Sequence, residues 1–492
     1  MLQCFCKIDG GFMRLKKILQ DVDVVSVQNF KNYNISSVSH ISQDVISGGM
    51  FICIKGDTFD GRDYLQNVIS KGCKCIVSQE EFFVSGVCVV VVADIRKAMS
   101  VIAKNFYNRC VDGLTLIGVI GTSGKTSVTH IVRQLLSYNG DKIGVIGTNG
   151  IYIDNICMEN KFTTPDPLEL HYVFYQMKML GVNTVVMEVS AQAIHFQKVF
   201  GIKFNVCVFT NISEEHLDFF GSYENYAKTK LDFFNSSNTR ECVVNTDDFF
   251  GRELAFKVDI PCISYGVDEP ANVFAIDIQI SLDRTKFVGN IKDDIVQVDV
   301  PLVGKYSVYN ILSAMAVCRL LGMSIQDISS AIKSIKPIDG RFEMFKKGNN
   351  LIVIDFAHTP QSIEKLLEHI KSNSNLDIVS LFGCVGYSDK DKRIAMAKSI
   401  SKYSNRTYVT TDNIGNANFS DVVRDVASGL NIPYFVIEDR ETAIRDAFEG
   451  LQEDEILVLI GKGSENFQKI GNERLPYSER EIVLKLLERK DK

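Results

Sequence analysis

The segment from Leu114 to Ser127 constrains the fold most, because a strand, a glycine turn and a helix start follow one another there. An apolar, β-branched stretch leads into Gly121-Thr-Ser-Gly-Lys-Thr. In a strand–turn–helix unit of this kind, backbone N–H groups and the positive end of the helix dipole face a bound anion. Lys125 adds a full charge, and the hydroxyl of Thr126 is suited to hold Mg²⁺. The segment predicts a phosphate-binding loop and the use of a nucleoside triphosphate.

The glycine spacing departs by one position from the strict G-x-x-x-x-G-K-[ST] pattern. Val119 stands where the first glycine is expected, and Gly118 is its neighbour. An ordinary turn is the alternative interpretation. The amphipathic helical pattern after the loop favours the phosphate-binding interpretation. Its apolar face carries Val128, Ile131, Val132, Leu135 and Leu136.

The length of 492 residues predicts three domains. Strand and helix patterns alternate through residues 113–338 and again through 339–492, which favours mostly parallel sheets covered by helices. Residues 1–112 form a separate first unit with strand candidates and a closing helix. We therefore predict an α/β protein with domains at 1–112, 113–338 and 339–492.

Composition narrows the function classes. The net charge of −6 and the lack of long charge runs argue against broad nucleic-acid binding. The aliphatic stretch from Val87 to Ala93 is too short to span a bilayer, so we expect no membrane insertion. The 13 cysteines lack paired metal spacing, and no export signal is visible, so reduced thiols and a cytoplasmic location are expected. Met13 looks a more natural start than Met1.

Two predicted strands of the central region end in polar residues. The strand Thr184–Val189 carries Glu188 at its end, and the next strand is followed by His216. Ligands of parallel sheets bind beyond the carboxyl ends of the strands, which places both side chains near the phosphate loop. A solvated Glu cap and a structural His are the alternatives. Lys230, on a helix, is from the residues alone only a solvated lysine.

Seven motifs in one order resemble those of the Mur ligase family, most closely its MurE-type branch, which adds the third residue to the UDP-MurNAc peptide. The resemblance covers nearly the whole chain, and the first unit fits through Ser42 and Gly48-Gly-Met-Phe. The motifs are Gly118-Val-Ile-Gly-Thr-Ser-Gly-Lys-Thr, Thr163-Thr-Pro-Asp-Pro, Met187-Glu-Val-Ser, Phe209-Thr-Asn-Ile-Ser-Glu-Glu-His-Leu-Asp, Gly340-Arg-Phe-Glu, Asp355-Phe-Ala-His-Thr-Pro and Gly461-Lys-Gly-Ser-Glu.

The resemblance implies a small N-terminal nucleotide-sugar-binding α/β domain, a central P-loop ATPase-like doubly wound sheet and a C-terminal Rossmann-like α/β domain. It implies an ATP-dependent amide ligase of peptidoglycan precursor synthesis that acts as a monomer with ATP and Mg²⁺. ATP phosphorylates the free carboxylate of UDP-MurNAc-L-Ala-D-Glu, and the amine of a free amino acid attacks the acyl phosphate. Such chemistry passes through concentrated negative charge, which bound cations stabilise.

The resemblance also assigns roles to matching positions. The catalytic residues are Lys125, Glu188, His216 and Lys230. The metal ligands are Thr126, Glu188, His216 and Lys230, the last as a carbamate. The ATP-binding residues are Gly121, Thr122, Gly124, Lys125, Thr126, Ser127, Asn310, Arg341 and Asp355. The UDP-substrate residues are Ser42, Thr163, Thr164, Ser190 and Lys198, and the acceptor residues are Asp412, Asn413, Gly461 and Glu465.

The substrate and acceptor motifs depart from the family. Lys198 stands where the family has Arg, and Ala191 and Gln192 replace a Ser-His pair. In the acceptor motifs, Gly415 and Ser388 occupy the places of two arginines that face the acceptor's distal carboxylate. A lost charge-assisted hydrogen bond costs on the order of 1.5–3 kcal/mol. We therefore expect L-lysine or another amine as acceptor rather than meso-diaminopimelate.

Three alternatives remain at this level. The first is a Mur ligase paralogue that ligates a different carboxylate. The second is a ligase like folylpolyglutamate synthase, which shares the central fold, although the first unit and the Thr163-Thr-Pro-Asp-Pro loop disfavour it. The third is a catalytically silent nucleotide-binding regulator, which would have no need of a carbamylatable Lys230.

Overall fold

The computed structural model describes residues 11–56, 59–154, 156–386 and 388–488. The choice between Met1 and Met13 as the start falls largely outside these residues. Contacts within the chain divide it into two compact units. The first unit holds residues 1–274, 290–294 and 309–328, and the second holds 275–289, 295–308 and 329–492.

The first unit opens with a five-stranded sheet. Its strands and helices are β1 (Met13–Arg14), β2 (Val24–Gln28), β3 (Asn34–Ile35), β4 (Val38–Ser39), β5 (Met50–Ile52), β6 (Cys75–Ser78), β7 (Cys88–Val92), α1 (Leu15–Ile18), α2 (Leu65–Ser70) and α3 (Ile95–Phe106). The sheet order is β2-β7-β6-β5-β4, and only the β2–β7 pair is antiparallel. Asp94 caps α3 by accepting hydrogen bonds from two backbone N–H groups of its first turn.

A larger sheet follows in the same unit. Its elements are β8 (Thr115–Ile120), β9 (Ile143–Gly147), β10 (Gly150–Ile153), β11 (Ile156–Met158), β12 (Thr184–Glu188), β13 (Phe204–Phe209), β14 (Thr239–Asn245), β15 (Cys262–Gly266), α4 (Lys125–Leu136), α5 (Pro167–Met179), α6 (Ala191–His195), α7 (Leu217–Phe220), α8 (Tyr223–Leu231) and α9 (Phe249–Lys257). These eight strands of the sheet have the order β11-β10-β9-β12-β8-β13-β14-β15.

The strand β8 lies in the middle of this sheet, between β12 and β13, and both pairings are parallel. From Leu116 to Ile120 every residue of β8 is buried. Strands buried on both faces are typical of a parallel sheet that helices cover on each side. The carboxyl ends of β12, β8 and β13 consequently meet at one edge, where the loop from Gly121 begins.

The next elements along the chain have residues in both units. They are β16 (Val273–Ile280), β17 (Thr285–Ile291), β18 (Asp294–Val300), α10 (Lys305–Leu320) and α11 (Ile325–Ile332). The remaining elements of the second unit are β19 (Glu343–Lys347), β20 (Asn350–Asp355), β21 (Asp377–Phe382), β22 (Arg406–Val409), β23 (Tyr434–Val436), β24 (Glu455–Ile460), β25 (Phe467–Ile470), β26 (Glu473–Pro476), α12 (Pro360–Asn373), α13 (Lys390–Tyr403), α14 (Phe419–Ala427), α15 (Arg440–Glu449) and α16 (Glu479–Glu488).

The main sheet of the second unit has the order β19-β20-β24-β21-β22-β23. All its pairings are parallel except β19–β20. Helices α12 and α13 pack one face through Ile363, Leu367 and Ile400, while α15 and α16 pack the other through Ile444 and Val483. The predicted α/β class with mostly parallel sheets is confirmed.

Several sequence expectations can be compared with this fold. On the strand β2, the side chains of Val25 and Val27 are exposed. Among the described cysteines none forms a disulfide bond, and most of them are buried. Within the described ranges, no helix combines the length and apolarity needed to cross a bilayer. The boundaries at 112 and 338, the monomeric state and the cytoplasmic location stay predictions.

Candidate active site

The loop between β8 and α4 approaches its neighbours so closely that only glycine fits at two positions. A Cβ on Gly121 would lie 1.8 Å from Oγ1 of Thr210, and one on Gly124 would lie 2.7 Å from Oδ1 of Asn310. Gly124 also has φ of 86° at the start of α4, which is the left-handed region that glycine favours. The backbone of the loop is therefore free to approach a phosphate group.

Lys125 bends back over the loop. Its Nζ donates to the carbonyl of Gly121 at 3.0 Å and to the carbonyl of Thr122 at 2.7 Å. Ser127, half-buried, stands in the same first turn of α4. The ammonium group and the first N–H groups of the helix thus converge on one small region, as an anion site requires.

Glu188 is the residue that joins the phosphate loop to its surroundings. It ends β12 opposite Val119 of β8 and is buried. Its Oε1 accepts hydrogen bonds from Oγ1 of Thr126 at 3.0 Å and from the backbone N–H of Thr148 at 2.8 Å. Its Oε2 accepts from Oγ1 of Thr148 at 3.2 Å. One carboxylate therefore contacts both the first turn of α4 and the loop after β9.

Thr148, which follows β9, links Glu188 to the predicted substrate residues. Oγ1 of Thr148 lies 3.1 Å from Oγ1 of Thr163. Oγ1 of Thr164 donates to the backbone carbonyl of Glu188 at 2.9 Å and accepts from the N–H of Ser190 at 3.2 Å. Thr126, Glu188, Thr163, Thr164 and Ser190 thus belong to one hydrogen-bond network, although they are far apart in sequence.

Lys230 is buried beside the phosphate loop. Its Nζ donates to Oγ1 of Thr122 at 3.2 Å and to the hydroxyl of Tyr226, and it lies 3.8 Å from the centre of the Tyr226 ring. Burial lowers the pKa of Lys230 well below its usual value, and the nearby charge of Lys125 lowers it further. The environment favours the neutral amine, which is the nucleophilic form.

His216 stands at the start of α7 with a φ of 56°. Its side chain is about half exposed, its ring lies 6.2 Å from the ring of Tyr226, and its Nε2 lies 3.9 Å from Oε2 of Glu215. The structure therefore places His216 beside Tyr226, the residue that Lys230 also contacts.

The donor atoms around Glu188 and Lys230 determine which divalent cation this site could hold. The hydroxyl of Thr126 and the carboxylate of Glu188 are hard oxygen donors in direct contact, which suits Mg²⁺. The amine of Lys230 is not a ligand for such an ion, but a carbamate on the same nitrogen would supply oxygens. Within the described residues no group of three or more His, Cys, Asp or Glu side chains forms a metal site. The donor set fits Mg²⁺ only with the threonine and the modified lysine included.

The predicted ATP-binding residue Asn310 is buried on α10 against Gly124. Its neighbour Tyr309 donates its hydroxyl to Oδ2 of Asp247 at 2.7 Å. Asp247 also accepts hydrogen bonds from three successive backbone N–H groups, at Val267, Asp268 and Glu269. Sequence reasoning did not find Asp247, which anchors the start of this stretch of α10.

Lys198 lies at the far end of the substrate network. Its Nζ is 2.8 Å from Oδ1 of Asp166 and donates to the carbonyl of Thr164 at 3.3 Å. Ser42 is held elsewhere, by Nζ of Lys71, which donates to its carbonyl at 2.9 Å. Burial lowers the pKa of His40, two residues before Ser42, and charges on Asp166 and Lys198 act on it as well.

In the second unit, Arg341 and Asp355 lie together. Asp355 ends β20 and accepts hydrogen bonds from the N–H groups of Phe342 and Ala357, each at 2.8 Å. Removal from water raises the pKa of Asp355, and the charge of Arg341 acts in the opposite direction. The Arg341 guanidinium lies 4.4 Å from the centre of the Phe356 ring.

The four predicted acceptor residues also come together in the second unit, where β22 and β24 end. Nδ2 of Asn413 donates to Oε2 of Glu465 at 3.0 Å. A Cβ on Gly461 would lie 3.2 Å from Oδ2 of Asp412. Burial alone would raise the pKa of Asp412, but Lys462 and then Arg440 reverse the effect, so that its pKa is lowered.

Sequence reasoning missed the residue at the centre of this cluster. Nζ of Lys462 lies 2.7 Å from Oε2 of Glu465, 3.1 Å from Oδ1 of Asn413 and 3.3 Å from Oδ1 of Asp412. Its position between Gly461 and Gly463 was the only sequence signal. Thr148 and Tyr226 were missed as well, because a threonine after a strand and a tyrosine on a helix carry no distinctive pattern.

Comparisons with known proteins identify the family. The Mur ligase middle domain matches residues 119–318, and the Mur ligase glutamate ligase domain matches residues 340–463. UDP-N-acetylmuramoyl-L-alanyl-D-glutamate--2,6-diaminopimelate ligase 1 of Clostridium acetobutylicum is 35% identical over 96% of this chain and 98% of its own. The ligase of that name from Caldanaerobacter subterraneus is 36% identical over 98% and 100%. A solved structure of such a ligase has a TM-score of 0.70, 22% identity and coverage of 98% and 100%.

The relatives correct one expectation. Their names give 2,6-diaminopimelate as the amino acid, so the preference for L-lysine or another amine was wrong. That preference rested on the absence of arginines at Ser388 and Gly415. It treated two positions as the only source of positive charge near the acceptor residues. Lys462 shows that the cluster holds a cation that this reasoning ignored.

Proposed function

Because the chain belongs to the Mur ligase family and is an ATP-dependent acid–amino acid ligase, we propose that it joins 2,6-diaminopimelate to UDP-MurNAc-L-Ala-D-Glu. The observation that carries this proposal is the network through Glu188, which connects the phosphate loop at Thr126 to the substrate loop at Thr163. A ligase that activates a carboxylate with ATP needs the two substrates beside each other.

In the first step, an oxygen of the D-glutamate side-chain carboxylate attacks the γ-phosphorus of ATP. The bond to the β–γ bridging oxygen breaks and ADP leaves. Lys125 and the N–H groups at the start of α4 stabilise the negative charge that spreads over the phosphoryl oxygens. Thr126 and Glu188 would hold Mg²⁺, which supplies further charge neutralisation when bound.

In the second step, an amine of the amino acid attacks the acyl carbon. The bond from this carbon to the phosphate oxygen breaks, inorganic phosphate leaves, and the amine loses a proton. The second-unit cluster supports the binding of an amino acid, because Glu465 and Asp412 are acceptors for an ammonium group and Asn413 offers an amide. We assign the acceptor site to this cluster.

We further propose that Lys230 is used as its carbamate. A neutral lysine amine adds to CO₂ through its nitrogen and loses one proton to solvent, which converts a neutral group into an anion. The lowered pKa of Lys230 and its nearness to Lys125 favour that conversion, because two buried ammonium groups side by side repel each other. The carbamate would also offer the oxygens that a hard cation prefers.

Purified protein supplied with ATP, Mg²⁺ and UDP-MurNAc-L-Ala-D-Glu tests the proposal. We expect phosphate release that depends on diaminopimelate, with L-lysine as the matched comparison, and a tripeptide product of the corresponding mass. Lys125→Ala serves as the control for contaminating activity. Release with L-lysine only, or with neither amino acid, would contradict the proposal.

A further inference from the structure

One face of helix α3 is directed at a loop that holds a predicted substrate residue. Arg96, Ser100 and Lys104 follow one another at intervals of four, so they lie along a single side of the helix. We call these three residues the α3 row. The loop from Phe196 to Gly201, which we call the 196–201 loop, contains Lys198.

The α3 row contacts the 196–201 loop along its length. The Arg96 guanidinium lies 4.5 Å from the centre of the Phe196 ring. Oγ of Ser100 donates to the carbonyl of Gln197 at 2.7 Å, and Nζ of Lys104 donates to the carbonyl of Gly201 at 2.9 Å. The contacts therefore reach both ends of the loop.

The backbone of the 196–201 loop requires such support. Gln197 has a φ of 56°, a conformation that costs on the order of 1 kcal/mol for a residue with a Cβ. Ser100 holds the carbonyl of this residue directly. Ser100 is fully buried and Lys104 nearly so, which strengthens both hydrogen bonds because water does not compete for them.

The other side of the loop fixes the side chain of Lys198. Its Nζ is paired with Asp166 at 2.8 Å, contacts the carbonyl of Thr164 and lies 4.5 Å from the centre of the Phe162 ring. Only 13% of this side chain is exposed. The ammonium group is therefore presented at one place, at the end of the network that begins at Glu188.

We propose that the α3 row consists of positioning residues that hold Lys198 where it meets the anionic groups of the UDP-linked substrate, an inference that rests on the proposed function. Lysine has a flexible stem and lacks the planar fork of arginine. The precision of its ammonium group must come from its surroundings. The row supplies it from the first 112 residues of the chain, which also contain Ser42.

Steady-state kinetics of Lys104→Met and Ser100→Ala test this inference. We expect the KM for UDP-MurNAc-L-Ala-D-Glu to rise about tenfold for Lys104→Met and about threefold for Ser100→Ala, because a displaced binding group loses charge-assisted contacts. The kcat and the KM for ATP stay within about twofold, since neither contact reaches the phosphate loop. Lys104→Arg retains the donor and restores the KM.

The matched control is Lys178→Met, because Nζ of Lys178 also donates to a backbone carbonyl, that of Gly113, at 2.9 Å. It leaves all kinetic constants unchanged. An equal rise in the KM for ATP and for the UDP-linked substrate in Lys104→Met would overturn the positioning role, since it would indicate a general loss of structure. An unchanged KM for the UDP-linked substrate in both variants would overturn it as well.

Amide hydrogen exchange provides a readout that does not depend on the substrate. We expect faster exchange in the 196–201 loop of both variants, including the N–H of Lys198, which donates to the carbonyl of Ala193. Unchanged exchange would overturn the inference even if the wild type acts on another substrate. A further outcome is that the wild type is inactive on UDP-MurNAc-L-Ala-D-Glu while both variants still show faster exchange than the wild type in the 196–201 loop. That result would contradict the proposed function, but it would establish that the α3 row supports the loop.

Discussion

The hydroxyl of Thr126 donates to the carboxylate of Glu188 at 3.0 Å, and this contact connects α4 to the end of β12. The same carboxylate accepts from Thr148, whose hydroxyl contacts Thr163. The phosphate loop and the predicted substrate loop are thus joined through one side chain that is almost fully buried.

Replacing Glu188 by Gln is expected to reduce kcat by at least 100-fold. The amide keeps the shape but removes the negative charge, and the loss of one preorganised electrostatic group at a reacting centre typically costs about 10²–10³ in kcat. Steady-state phosphate release measures the effect. Glu224→Gln, on the exposed side of α8, is the control and retains full activity. A loss below tenfold would show that Glu188 is structural only.

Lys230→Ala is expected to abolish ligation, since it removes the nitrogen that carries the carbamate. Added formate or acetate restores part of the activity, because a small carboxylate fits the space of the missing group. Lys228→Ala, an exposed lysine on the same helix, is the matched control and stays active. If Lys230→Ala keeps activity without bicarbonate or a small acid, the carbamate assignment fails.

Much of this site was within reach of the sequence. The strand, turn and helix around Lys125 were predicted because each has a strong local pattern. Glu188 was predicted from its place at a strand end. The burial of Lys230 was not, because a lysine on a polar helix is usually solvated. Only the fold brings Thr122 and Tyr226 against it.

The predicted acceptor residues show a different limit of prediction from sequence. Asp412 and Glu465 were identified by resemblance, but Lys462 lies between them only because β22 and β24 end at the same edge of one sheet. The two strands are far apart in sequence and are separated in the sheet by β21, so their common edge cannot be deduced from spacing. The missing arginines therefore received more weight than they deserved.

Glu465→Gln is expected to raise the KM for diaminopimelate about tenfold, because a charged hydrogen bond to the amino acid's ammonium group contributes about 1.5–3 kcal/mol. The KM for ATP stays unchanged. Glu473→Gln, exposed on β26, is the control. A change in the KM for ATP alone would contradict the assignment of the acceptor site to the Asn413–Glu465 pair.

His171 makes the stability of the first unit depend on pH. Burial lowers the pKa of His171 to about 3, against 6.5 in the unfolded chain. Below pH 6.5 the unfolded chain takes up a proton that the folded chain does not. The stabilisation is thus complete above pH 6.5, is lost as the pH falls and levels off near pH 3.

Lowering the pH from 7.5 to 5 is expected to reduce the free energy of unfolding by about 2 kcal/mol through His171. Urea unfolding of the wild type and His171→Leu at both values measures it. We expect the leucine variant to show a smaller decrease than the wild type. His130→Leu, half-buried on α4, is the control. Equal decreases in wild type and His171→Leu would refute the role of His171.

A fully buried ion pair lies beside the predicted acceptor residue Asp412, because Arg440 of this pair contacts the neighbouring Thr411. Arg440 Nη2 lies 2.8 Å from Oε1 of Glu479, and the guanidinium also donates to the carbonyls of Thr411 and Ile460. Removing one partner strands a buried charge, so Glu479→Gln is expected to cost about 3–5 kcal/mol. Chemical denaturation measures it, and Arg440→Met combined with Glu479→Leu recovers part of the loss. If the double variant is less stable than Glu479→Gln, the stranded charge is not the cause.

The contact between Thr126 and Glu188 has a consequence for how this protein can vary. Because Thr148 shares the same carboxylate, the effects of substitutions at Thr126 and Thr148 are not additive. A change that lengthens one loop alters the orientation of the acid on which the other relies. The two loops therefore have to be redesigned together, and a change of specificity introduced into one of them requires a matching change in the other.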